Sequence, residues 1–233
     1  MGVGGFLGQP FSPHGEEKKD TTASVIDWGF ISSPAIEGEA IHLTGYVPTD
    51  TSGFTVGSFD LGQHSEEDIR RIMQSYQNNL GHTYPLAQDT RLYRKIKPYA
   101  LKKDISDAEA KKVDFQREEI EYLTAAKRYE FEDKIAGKKG GVITDAERNK
   151  QWKKLDTKTK TVLASVGWQY GLDSFAFKKV FSARNDKVEL ANALDELGEE
   201  HGFSNRRTNE VDWLLSPTDK VFRTMTKNDN FLE

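Results

Sequence analysis

The side chains in this sequence that could do chemistry are gathered most densely between residues 36 and 63. Glu37-Gly38-Glu39 follows an apolar stretch, and residues 53–62 read Gly-Phe-Thr-Val-Gly-Ser-Phe-Asp-Leu-Gly. A carboxylate at a helix end, set across from a ribbon carrying Thr55 and Asp60, could run a hydrolysis. One group would protonate a leaving oxygen while another holds water or stabilises positive charge, as glycosidic bond cleavage requires. Glycines in the ribbon let backbone come close to a sugar. On residue types alone, a plainer alternative stands beside this one: Glu37 is a surface acid and Thr55 a strand former. Glu39 is two residues from Glu37, so on a helix the two face different directions and only one could enter a cleft.

Other chemistries find little support. The chain has 233 residues and no cysteine, which excludes disulfides, thiolate metal sites and a cysteine nucleophile. His14, His42, His64, His82 and His201 are scattered, with no His-Glu-x-x-His and no helical pairing that would hold zinc. Phosphate-cradling Gly-x-x-x-x-Gly-Lys and Gly-x-Ser-x-Gly nucleophile motifs are missing. Asp50-Thr51-Ser52-Gly53 is too short for a calcium loop and reads as a turn. The net charge of −4 lacks the basic excess of a nucleic-acid binder. No apolar run approaches the roughly 20 residues of a membrane span, and the first eight residues lack a signal peptide's charged start and apolar core.

The elements that must position these groups follow from the pattern. Residues 1–22, rich in Gly and Pro and then charged, read as a flexible linker. Residues 25–37 are apolar and helical, with Pro34 forcing a kink or a fresh start capped by Ser33. Ile41 and Leu43, then Phe54 and Val56, alternate with polar neighbours around the turn-rich run 48–53, which predicts a small antiparallel sheet. Ser65 caps a helix whose apolar stripe is Ile69, Ile72, Met73, Tyr76 and Leu80. Ser106-Asp107-Ala108-Glu109 is a capping box that opens a long charged stretch, one helix or two, ending near Ala136 where three glycines break it. Its lysines and glutamates read as a solvated helix face. Short helices are expected at 157–170, 174–181, 187–197 and 205–215. Trp168 and Tyr170 read as core. Arg206 and Arg207 would either meet acidic groups of a ligand or pair with an acid inside the helical body.

Against this background, Ile36-Glu37-Gly38 followed by residues 55–62 resembles the phage-type lysozyme family, and within it the pesticin-like lysozyme domains of bacteriocins and secreted effector toxins. Trp168-Gln169-Tyr170-Gly171, and residues 206–210 with Trp213-Leu214-Leu215, look like that family's helical lobe. The likeness covers roughly residues 25 to 216. It implies Glu37 as general acid, Thr55 as the group positioning the attacking water, and Asp60 as second carboxylate. It also implies an inverting reaction, with carboxyl groups roughly 6.5–9.5 Å apart. Tyr46, Gln63 and Arg206 would contact the substrate. The chain departs from the pattern in three places. The interval from Glu37 to Thr55 is longer than in the compact phage enzymes. Asp50, in the turn before the strand, competes with Asp60 for the second role. Ser58 stands where a second glycine is expected before Phe59.

The fold expected is therefore α+β and mainly helical: a lysozyme-like domain over residues 23–233 with a small β lobe at about 38–63 and a helical lobe at about 65–216. The expected activity is that of a muramidase, a peptidoglycan hydrolase that cleaves between N-acetylmuramic acid and N-acetylglucosamine without a cofactor or metal. The expected setting is an antibacterial toxin or effector domain, monomeric, delivered by a larger protein or secretion system to the periplasm or wall of a target bacterium. Its partners would be glycan strands and an immunity protein. The rivals are a phage endolysin, another wall glycosidase, a structural helical protein, and a non-catalytic wall- or receptor-binding module on the same fold.

Overall fold

The computed structural model describes residues 25–33, 36, 42–49, 52–80 and 91–229. The linker expected at 1–22, the kink at Pro34, and the candidate residues Glu37, Glu39 and Asp50 lie outside that set. In chain order the elements begin with the one-turn helix α1 (Trp28–Ile31), the hairpin β1 (Thr55–Val56) and β2 (Phe59–Asp60), and a 3₁₀ turn at Leu61–Gln63. There follow α2 (Glu66–Leu80), α3 (Arg91–Ile96), α4 (Asp107–Ala110) and α5 (Arg117–Ile135). A second hairpin, β3 (Lys138–Lys139) with β4 (Val142–Ile143), precedes α6 (Ala146–Lys154), α7 (Thr157–Tyr170), α8 (Phe175–Ser182), α9 (Lys187–His201), α10 (Ser204–Leu214) and α11 (Pro217–Asp229). The mainly helical α+β class read from the sequence is what the chain adopts. No described helix is long and apolar enough to cross a membrane.

Two apolar cores organise the molecule. The first gathers Phe54, Val56, Phe59 and Leu61 from the hairpin region, Ile69, Ile72 and Met73 from α2, Leu92 and Ile96 from α3, and Ile120, Leu123 and Ala126 from α5. The second gathers Phe131 and Ile135 from the other end of α5, Ala136 just after it, Val162, Leu163 and Val166 from α7, and buried residues of α8, α9 and α10. So α5 contributes to both. The small lobe extends well beyond its hairpin, because α2, α3 and the first half of α5 bury their apolar stripes against it. Each such Ile, Leu or Phe contributes about 1.5–3 kcal/mol by leaving water.

Caps set the helix starts as the sequence suggests. Ser65 Oγ accepts from the Asp68 amide at 3.1 Å, and Ser106 and Glu109 close a reciprocal capping box. Asp156 and Asp186 cap α7 and α9. Helix α7 is buried from Thr159 to Gly167 and forms the axis of the helical lobe. The first described segment docks onto it: the Asp27 amide donates to Thr161 Oγ1 at 2.9 Å, Trp28 packs edge-on against Trp168 and Phe131, and Phe30 stacks on Trp213.

Several expectations need correction. Residues 137–143 do more than break a helix; they form the β3–β4 hairpin with Lys138 opposite Ile143. Asp133 fixes it by accepting the Gly141 amide, and the Gly137 carbonyl accepts the Thr144 and Asp145 amides at 2.9 Å. The charged stretch before it is not simply a solvated face. Glu119, Glu130 and Asp133 are all buried, because α5 is enclosed by both lobes. Helices α3, α6 and α11 are additional to those expected from the sequence.

Candidate active site

The β1–β2 hairpin pairs Thr55 with Asp60 and Val56 with Phe59. Side chains alternate across a strand, so Val56 and Phe59 drive into the core while Thr55 and Asp60 share the other face. Gly57 turns the hairpin at φ +55, and no residue but Leu101 among the described non-glycines has positive φ. A turn with positive φ only at its first central position needs one glycine, which is why Ser58 is tolerated where a second was expected. A Cβ at Gly57 would also overlap Thr124 and Ile120 of α5. Gly53 and Gly62 lie so close that a Cβ on either would strike the other's Cα. This backbone contact folds residues 52–63 around Asp60.

Asp60 is half-buried. Its Oδ1 accepts from the Gly53 amide at 3.3 Å, and burial raises its pKa above 3.8 even though the Gly53 and Gly62 amides, Gln63 and Lys103 favour its charge. The result is an oriented carboxylate with strengthened proton affinity, as a general base needs. Thr55, 4% exposed, donates its hydroxyl to the Gly53 carbonyl at 3.2 Å and keeps oxygen lone pairs for accepting. Tyr46 pairs with Thr55 through both backbone bonds, and its hydroxyl donates to the Gly57 carbonyl at 2.6 Å. Behind the hairpin, the loop at 99–102 acts as a brace. The Leu101 amide donates to the Leu61 and His64 carbonyls, and the Lys102 carbonyl receives the Phe54 amide. Leu101 holds φ 56 to do so, a conformation that costs about 1–2 kcal/mol in a non-glycine residue.

Asp60 and Gln63 open onto a cleft of about 870 Å³ between the lobes. Its floor and far wall come from α2, α5, the β3–β4 hairpin and the end of α7, including His64, Lys127, Glu130, Trp168 and Asp173. Trp168 therefore has two roles: its ring packs on the core, as read from the sequence, and it also lines the cleft. Glu130 is the hub of the wall. It binds Lys127 at 2.7 Å, Lys134 at 2.8 Å and Arg71 at 3.3 Å. Burial would raise its pKa, but those cations outweigh burial and bring it to about 2. Beside it His64 Nε2 lies 3.0 Å from Lys127 Nζ; burial first, then the lysine's charge, lowers its pKa to about 4. This network was missed by sequence reasoning, and only the spacing of Lys127, Glu130 and Lys134 hinted at it.

Of the predicted site residues, the structure brings Asp60 and Gln63 to the cleft and sets Thr55 opposite Asp60. Tyr46 stands one strand further back. Arg206 sits elsewhere, in the helical lobe. Only 14% exposed, it donates to Glu210 at 3.3 Å, to Ser165 Oγ at 2.9 Å and to the Ile36 carbonyl at 3.3 Å. Arg207 is wholly buried against Glu210 and Gln169. Of the two readings left open for these arginines, pairing with an acid inside the lobe is the one seen. Arg206 also grips the carbonyl that begins the peptide bond to Glu37.

A family model described as "Bacterial toxin homologue of phage lysozyme, C-term" matches residues 25–181, well over half the chain. The chain belongs to the Pesticin family. The match takes in the hairpin, the α5 wall and α7, and it ends before α9 and α10, so the likeness expected as far as residue 216 is matched only to 181. No curated protein matches the chain. Membership gives the Pesticin-family chain a lysozyme-like character and agrees with its two-lobed, mainly helical form.

Proposed function

We propose that this Pesticin-family domain is a muramidase that hydrolyses the β-1,4 bond between N-acetylmuramic acid and N-acetylglucosamine in bacterial peptidoglycan. One observation carries the reading: a carboxylate with raised proton affinity, Asp60, is held by backbone amides at the edge of an interlobe cleft, in a chain of a lysozyme-homologous family. In this reading Glu37, protonated, delivers its proton to the leaving oxygen. A water positioned by Thr55 attacks the anomeric carbon from the opposite face and passes its proton to Asp60, so the anomeric configuration inverts. Asp50 is the alternative for Asp60's part. Gln63 and Tyr46 support the ribbon, while Arg206 serves as a positioning residue through the Ile36 carbonyl. The domain acts as an antibacterial toxin in the target's periplasm or wall, brought there by a larger protein or secretion system, and the producing cell blocks the cleft with an immunity protein.

Clearing of purified sacculi, followed by turbidity, tests this. Wild type clears the suspension. Glu37→Gln and Asp60→Asn each slow it by about 10²–10⁴-fold, the usual worth of a positioned acid or base. Mass analysis finds N-acetylmuramic acid at the new reducing end. A wild type that leaves sacculi intact, or variants that clear as fast, refutes the mechanism. Clearing lost in Asp50→Asn and kept in Asp60→Asn moves the base to Asp50.

A further inference from the structure

Leu101 is the only described non-glycine residue with positive φ, at 56, yet its side chain is 62% exposed. The backbone explains the conformation, because the amide has to reach the Leu61 and His64 carbonyls, at 3.2 and 3.0 Å. It does not explain the leucine. Glycine would make the same bonds without strain, and a side chain this open recovers little by burial. The fold thus holds a strained apolar group and leaves it in solvent. Around it lies charge of one sign. Residues 91–103 contain Arg91, Arg94, Lys95, Lys97, Lys102 and Lys103 and no acid, in a chain whose net charge is −4. Leu92, Tyr93 and Ile96 of α3 enter the small-lobe core and Tyr99 and Ala100 pack against it, which turns the remaining side chains of the segment outward. Lys95 pairs with Glu119 at 2.9 Å and Lys97 with Glu66 at 3.2 Å; Arg91, Arg94, Lys102 and Lys103, all exposed, have no ion pair among the described residues. Of the acids that follow, Asp104 is exposed and Glu109 is engaged in its capping box. None of these residues lines the interlobe cleft.

We propose that residues 91–103 form a peripheral membrane-binding surface, with Leu101 entering the headgroup layer of an anionic phospholipid bilayer and Arg91, Arg94, Lys97, Lys102 and Lys103 lying against its phosphates. A small anionic ligand would need these cations converged on one point. They are instead spread along the segment, which suits a broad charged plane where each cation near the surface adds to binding. A projecting apolar group is the second element of interfacial attachment. The proposal does not depend on the muramidase activity. The bonds of Leu101 and Lys102 to Leu61, His64 and Phe54 tie this surface to the ribbon bearing Thr55 and Asp60, so attachment holds that ribbon close to the bilayer.

Co-sedimentation with vesicles of phosphatidylcholine alone, and of equal parts phosphatidylcholine and phosphatidylglycerol, tests this. Wild type binds the anionic vesicles at least about tenfold more tightly than the neutral ones, and added salt weakens the binding. Arg94→Gln/Lys102→Gln loses about fivefold in affinity for each charge removed. Leu101→Gly loses about tenfold, the scale of burying one leucine, yet melts within about 3 °C of wild type or above it, because glycine takes the same φ unstrained. A larger fall in that melting temperature shows that the side chain serves the fold, and overturns the proposal. So does a Leu101→Gly variant that binds as wild type does, or a wild type that binds both vesicles equally. A wild type that ignores both vesicles overturns it in favour of a protein contact at Leu101.

Discussion

Replacing Glu130 by glutamine keeps its volume and removes the charge that Arg71, Lys127 and Lys134 share. Lys127 is then a buried cation with no carboxylate beside it, and the like charges of the cluster repel. The size of the effect follows from the carboxylate's titration. Its pKa falls from 4.5 to about 2 on folding, a difference worth about 3 kcal/mol. The side chain is only 7% exposed, so solvent screens little of it. Breaking one side of such a buried cluster typically costs about 3–5 kcal/mol, in line with that figure. For a chain of this length the melting temperature should drop by about 6–12 °C at pH 7. The sign with pH is fixed. A carboxylate whose pKa is lowered by folding stabilises fully above its unfolded value of 4.5 and loses that contribution as pH falls towards 2. The gap between wild type and Glu130→Gln in urea denaturation must therefore be constant from pH 7 to about 5 and shrink below that. His64 adds a separate loss in both proteins: with its pKa lowered from 6.5 to about 4 it resists protonation in the fold, so stability drains as pH falls through that window. A gap at pH 7 below about 1 kcal/mol, or one that does not narrow in acid, would falsify the account of the hub.

Three further outcomes follow. Gly57→Ala, strained at φ +55 and pressed on Thr124 and Ile120, should destabilise by at least about 1–2 kcal/mol in chemical denaturation, whereas Ser58→Gly changes stability by less than about 1 kcal/mol. The acid limb of kcat against pH should sit above the ordinary aspartate value of 3.8, because burial raises Asp60, and it should vanish from the residual activity of Asp60→Asn. Arg206→Lys should lower kcat about tenfold or more with little change in KM and a preserved circular dichroism spectrum, since one ammonium cannot reach Glu210, Ser165 and the Ile36 carbonyl together. A change confined to KM would instead place that side chain on the substrate.

What could be read from the sequence depended on how local the determinants were. The sheet was legible only in part: Phe54 and Val56 alternate with polar residues, but across the turn expected at 48–53 the described residues form a single bridge, Tyr46 to Thr55, and the hairpin itself turns later, at Gly57-Ser58. The starts of α2 and α4 were legible because Ser65 and Ser106 act on amides three residues away. The Thr55–Asp60 pair emerged from spacing and family likeness together. The cleft wall was opaque for a different reason. Whether Glu130 faces solvent or sits among three cations depends on α2 folding back over α5, from nearly sixty residues away in sequence. The same holds for Arg206, whose partners Ser165 and Ile36 come from α7 and from the far N-terminal side of the chain. Helix α6 hid because Trp152 is its sole buried large apolar side chain, too little for a periodic signal.

Helix α5 is a shared stave of two barrels: Ile120, Leu123 and Ala126 belong to one hydrophobic interior and Phe131 and Ile135 to the other. Neither lobe can unravel its share without stripping apolar cover from its neighbour, so heat should dismantle both together in one calorimetric peak. The same continuity ties the two walls of the cleft to one element, so a change at the middle of this helix is felt on both sides of the opening.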